Sequence, residues 1–170
     1  MRTCVISLPG RDTGATRLEL IVVVIIIAML GAWLLHTMRF YQELTEKTVI
    51  ENTIINLRSG LRFKIADLIL KGTPEKQSDL ASSNPVAFAE TPPKGYLGEM
   101  RAPRDLPPGS WYYEQDKAEL VYIPVLKNNL SLADGSQPEK LRLRWQIKKA
   151  GKEAGAMAID IELLTPYTWF

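Results

Sequence analysis

Cysteine and histidine are almost missing from this chain of 170 residues, with Cys4 and His36 the only ones. Beyond Thr37 neither type occurs, which excludes a disulfide framework, a Cys/His zinc site and histidine-based catalysis from the rest of the chain. An excess of charge of one sign is missing too. The 21 basic and 19 acidic residues leave a net charge of +2, too balanced for an electrostatic footprint on nucleic acid, so no nucleic-acid partner is expected. Between Glu19 and Arg39 there is no formal charge at all. The length suits one domain, or one domain with an appendage, and excludes a large multidomain enzyme.

What is present is segregated. Residues 20–35 read LIVVVIIIAMLGAWLL, and the uncharged window extends to Met38. That is about 19 residues, or ~28 Å as a helix, against a hydrocarbon core of ~30 Å. A secretory signal peptide should have a shorter apolar run ending in a small-x-small site, whereas this run exits through Trp33, Leu34, Leu35 and His36. Signal-peptidase cleavage is therefore not expected. Arg2, Arg11 and Arg17 precede the run, so the positive-inside rule places the amino terminus in the cytoplasm and the bulk of the chain across the membrane. His36 reads as a membrane-interface residue, because a lone imidazole without carboxylate or thiol neighbours holds no metal.

After Arg39 the chain turns polar but keeps helical spacing, with Ile50, Ile54, Leu57, Leu61, Ile65 and Leu68 forming one apolar stripe. Gly72 and Pro74 supply a stop. The reading is one continuous helix over 16–71, with Gly60 marking close packing inside it. Residues 72–110 hold seven of the eleven prolines and read as an ordered connecting loop, anchored by Phe88, Tyr96, Leu97 and Met100. Asn84-Pro85 within it has the form of an N-cap and first position of one short helix.

From Trp111 onward the period becomes two. Residues 111–115 and 119–126 read as a hairpin around Asp116-Lys117-Ala118, with Trp111 and Tyr113 on the face of Val121 and Ile123. Leu141, Leu143, Trp145 and Ile147 alternate with polar residues, as do Ile159, Ile161 and Leu163. A turn centred in 149–155 would set Arg144 against Asp160, Arg142 against Glu162, Leu143 against Ile161 and Trp145 against Ile159, each pair complementary. Asp160 and Glu162 then form a solvated outer face and not an acid/base pair. With no nucleophile–base constellation, a non-enzymatic protein without cofactor or metal is expected.

Glu19 stands out, since a simple anchor has no need of a carboxylate beside its apolar run. The segment Gly14-Ala15-Thr16-Arg17-Leu18-Glu19-Leu20 followed by IVVVIII resembles the processing site of type IV pilins and type II secretion pseudopilins. The resemblance implies a leader over 1–14 cut after Gly14 by a prepilin peptidase, methylation of Ala15 as the new amino terminus, and an assembly role for Glu19, whose carboxylate pairs with the α-amine of a neighbouring subunit. Ala15 stands where the family more often has phenylalanine, Arg17 is unusual in its place, and no proline interrupts 16–72. PPKGYLGE and GSWYYEQDKAELVY are also similar to segments of minor pilin-like proteins of MSHA-type pili.

The implied architecture is α+β and pilin-like, a long amino-terminal helix packed on a four-stranded antiparallel sheet. Its parts are a transmembrane and assembly half over 15–38, an amphipathic half over 39–71, the connecting loop over 72–110 and the sheet over 111–170. The implied partners are the prepilin peptidase, other pilin or pseudopilin subunits, an inner-membrane assembly platform and, before assembly, membrane lipid. The implied location is a single pass of the inner membrane, then a pilus or pseudopilus. An uncleaved single-pass protein with a periplasmic partner-binding domain is the rival reading.

Overall fold

A computed structural model describes residues 16–101, 105–133, 141–153 and 156–170, with the backbone alone at 150–153 and 156–158. The first element is helix α1, Arg17–Leu70, 54 residues long, close to the span expected from the apolar pattern. It ends at Gly72, whose φ of 69° suits a residue without Cβ. The Gly72 N–H donates to Ile69 O and the Thr73 N–H to Leu68 O, both at 3.0 Å, the paired closure of a Schellman motif. The chain divides after Tyr41 into two units, Met1–Tyr41 and Gln42–Phe170.

In the first unit, α1 is long and apolar enough to cross a membrane. Its large apolar side chains from Leu18 to Leu35 are all exposed. In the second unit, Ile50, Ile54, Leu57, Leu61 and Leu68 are buried and Ile65 packs against the same core. The stripe is thus covered as its spacing predicts. Gly60 lies where α1 meets the 3-10 segment Pro85–Phe88: a Cβ there would stand 2.3 Å from Phe88 O. Asn84 caps that segment by accepting the Val86 N–H at 3.0 Å, as the Asn84-Pro85 pair suggests. A second 3-10 segment, Pro74–Ser82, precedes it.

The sheet corrects the expectation of four antiparallel strands. Five strands lie in the order β1-β2-β3-β5-β6, and β4 with β7 forms a separate two-stranded sheet. They are β1 (Tyr96–Met100), β2 (Trp111–Glu114), β3 (Glu119–Tyr122), β4 (Leu130–Leu132), β5 (Leu143–Glu153), β6 (Ala156–Leu163) and β7 (Tyr167–Trp169). β1 runs parallel to β2 with a register irregularity between Tyr96 and Glu99, so the sheet is mixed. It falls inside the stretch read as a loop because its prolines flank it and leave the ladder intact. Gly98, with φ of 96°, supplies the irregularity.

The β2–β3 hairpin is slipped by one residue from the expected register. Trp111 pairs with Tyr122 and Tyr113 with Leu120, because the loop holds four residues, 115–118, and Ala118 takes a left-handed φ of 53°. A slip of one exchanges the faces of a strand. Leu120 and Tyr122 therefore face the core with Trp111, and Val121 lies opposite Tyr112 on the other face. Both of those are buried as well.

The β5–β6 register also differs, by four residues. Trp145 pairs with Leu163, Ile147 with Ile161 and Lys148 with Asp160. The hairpin runs on to Glu153 and Ala156, which moves its midpoint between Lys149 and Ile159 from 152 to 154. An even slip preserves the faces. Leu143, Trp145, Ile159 and Ile161 are accordingly in the core as expected, while the Arg144–Asp160 and Arg142–Glu162 pairings do not form. Arg144 bonds Glu119 at 3.1 Å instead, and Lys148 lies 3.3 Å from Glu162. Trp111 stacks at 4.7 Å on Tyr122 and 5.4 Å on Trp145, within the range where aromatic pairs add to simple burial.

Candidate functional site

The residues singled out by the sequence lie at the start of the chain. Gly14 and Ala15 fall outside the described residues. Glu19 stands in the first turn of α1, exposed, with its N–H donating to the Thr16 hydroxyl at 3.3 Å. Thr16 also gives its carbonyl to the Leu20 N–H at 3.1 Å. Thr16-x-x-Glu19 is thus one half of a capping box, and a carboxylate here complements the partial positive charge of the helix end. The bond uses the Glu19 backbone N–H, so the carboxylate's own local role is the charge it places near that positive end. His36 is exposed on the same helix.

A second polar constellation is one that sequence spacing did not reveal. Glu43 is only 1% exposed, although on its own helix it reads as an ordinary solvated charge. Its Oε1 accepts from the Asn129 backbone N–H at 2.9 Å and from the Trp169 indole N–H at 3.0 Å, and its Oε2 accepts from the Asn129 side chain at 2.9 Å. One turn on, Glu46 accepts the Tyr122 hydroxyl at 2.8 Å and the Val125 and Leu126 N–H groups at 2.7 and 3.1 Å. Lys47 donates to Trp169 O at 3.1 Å. Glu43, Glu46 and Lys47 of α1 thereby hold the 124–129 loop and β7. A buried carboxylate tolerates desolvation only when donors surround it, and here they do. The Glu43 and Glu46 oxygens are filled by the protein itself.

Burial, with the Glu46 carboxylate beside it, raises the Tyr122 hydroxyl well above the ordinary tyrosine range. Burial likewise raises Tyr112, Tyr113 and Tyr167. Near β1, Asn84 donates to Tyr96 Oη at 2.7 Å and to Glu99 at 2.9 Å, and Gln115 donates to the other Glu99 oxygen at 2.7 Å. The Asn84 bond, then the Gln115 bond, holds the Glu99 carboxyl below its usual value. Both amides serve the β1 edge.

The acidic residues of β6 are engaged. Asp160 lies 3.4 Å from Arg58 and Glu162 3.3 Å from Lys148. Among the described residues no group of three or more His, Cys, Asp or Glu side chains is placed to hold a metal ion. The arrangement offers two chemically distinct surfaces: an apolar helix with a carboxylate at its start, and a sheet domain in which Glu43, Glu46, Asp160 and Glu162 are each engaged by the protein's own groups. Comparison with protein-family models, curated proteins and solved structures finds no match to this chain.

Proposed function

We propose that the chain is a structural subunit, a minor pilin or pseudopilin, of a type IV pilus or type II secretion pseudopilus. A prepilin peptidase cuts it after Gly14, and it enters the filament through its apolar amino-terminal helix. The observation that carries this reading is the order Gly14, Ala15, Glu19 and then an unbroken apolar run on a helix that continues into an amphipathic stripe. The apolar side chains before His36 are exposed among the described residues, and lipid or other subunits would cover them. Before assembly the protein spans the inner membrane once, with the amino terminus cytoplasmic and the sheet domain periplasmic. Its partners are the peptidase, an assembly platform and fellow subunits, and it is not an enzyme.

A second reading has its own support. Glu19 stands in the first turn of α1, where a carboxylate complements the positive helix end, and this gives Glu19 a purpose in an uncleaved single-pass protein whose periplasmic domain binds an envelope partner. Glu19→Val separates the two. A filament subunit carrying it is processed and folds but assembles poorly; an anchored binding protein keeps its function, because the Thr16 bond uses the backbone N–H and losing one exposed carboxylate at a helix start costs only about 0.3–1 kcal/mol.

A further inference from the structure

β6 is the last strand of the five-stranded sheet, and among the described residues no strand pairs with its outer side. In the β5–β6 ladder the even-numbered positions bond inward, as the Leu164 N–H to Arg144 O bond of 2.8 Å shows just past the strand end. The odd positions therefore turn their N–H and C=O groups outward, where an added strand would find them. At Ile161 both groups are already taken. Arg58 reaches over from α1 and donates to Ile161 O through Nη2 at 2.7 Å and Nε at 3.3 Å. Asp160 Oδ1 accepts the Ile161 N–H at 2.8 Å and stands 3.4 Å from Arg58 Nε.

We infer that Arg58 and Asp160 form a plug that keeps the β6 edge from pairing with a second copy of this chain. The guanidinium stands in for the N–H, and the carboxylate for the C=O, that an incoming strand would bring. Side-chain groups in those places leave the middle of the edge nothing to exchange. Charge works in the same direction. A second copy pairing antiparallel about Ile161 would set each Asp160 against the Glu162 of the other copy, and like charges directly opposite are unfavourable. The plug is independent of the filament reading, since any membrane-anchored protein crowded with copies of itself faces the same hazard.

The test uses the full-length protein in detergent micelles, followed by sedimentation with the protein mass per particle as the readout. Arg58→Ala with Asp160→Ala removes both stand-ins and the opposed charges, and should convert the wild-type particle into one holding twice the protein. Adding Leu163→Pro to that double variant should restore the wild-type mass. Leu163 points its N–H outward, so proline there blocks strand addition without removing a bond of the sheet. A double variant that keeps the wild-type mass overturns the inference. So does association that Leu163→Pro fails to reverse, which would trace it to unfolding and not to the edge.

Discussion

Gly60→Ala should destabilise the protein even though alanine is the better helix former. In the interior of α1 the exchange gains about 1 kcal/mol of helix propensity. Against that, the new Cβ would sit 2.3 Å from Phe88 O and 2.9 Å from Phe88 C, closer than carbon and oxygen tolerate. Both atoms are backbone, and the 3-10 segment that carries them is tied down by the Asn84 cap and through Asn84 to Tyr96 and Glu99. The segment has little room to recoil, which places the cost near the top of the about 1–3 kcal/mol range for overpacking. The net loss is about 2 kcal/mol, or roughly 4–8 °C in melting temperature for a chain of this size. Thermal melts of the full-length protein in detergent measure it, with Gly31→Ala as the control, since nothing lies within 4 Å of a Cβ at that position. A Gly60→Ala protein that melts at or above wild type, with Gly31→Ala no less stable than wild type, would refute the packing of Pro85–Phe88 on α1.

Further outcomes follow from the core and the polar contacts. Leu61→Ala, at a position 1% exposed, should cost about 2–5 kcal/mol, whereas Lys148→Ala, from a half-exposed pair with Glu162, should cost less than about 1 kcal/mol; equal effects in chemical denaturation would mean that the helix stripe or the sheet faces are misassigned. Glu43→Ala leaves the Trp169 indole and two Asn129 donors without their acceptor and should cost at least about 2 kcal/mol, seen also as a change in tryptophan fluorescence. The tyrosines set the alkaline limit: Tyr122, Tyr112, Tyr113 and Tyr167 all bind their protons more tightly when folded. Their stabilisation is complete below the unfolded value near ~10 and is lost as pH rises above it. Tyrosinate absorbance should therefore rise together with unfolding, and a titration of all tyrosines in the still-folded protein would contradict this.

Periodicity made much of this legible. The extent of α1, its stop at Gly72, the buried stripe and the Asn84 cap all follow from local rules that one sequence displays. Register did not follow, because it depends on how many residues each loop uses. Ala118 in a left-handed conformation lengthened one turn by a residue and exchanged Val121 for Leu120 in the core. The longer β5–β6 hairpin moved Asp160 from Arg144 to Lys148, with faces intact. β1 was hidden by its flanking prolines. Glu43 carries no sign of burial at all, since its donors, Asn129 just before β4 and Trp169 on β7, are distant in the chain. Arg58 likewise carries no local sign of its contacts, since its acceptor, Ile161 O, lies on β6.

The proposed function turns on whether the chain is cut between Gly14 and Ala15. Intact-mass spectrometry of the protein produced with and without a prepilin peptidase tests this most directly. The filament-subunit account predicts that the peptidase removes residues 1–14 and leaves a chain beginning at a methylated Ala15, while cells without it retain the full mass. A mass that still includes Met1 to Gly14 when the peptidase is present would contradict the account and favour the uncleaved single-pass protein.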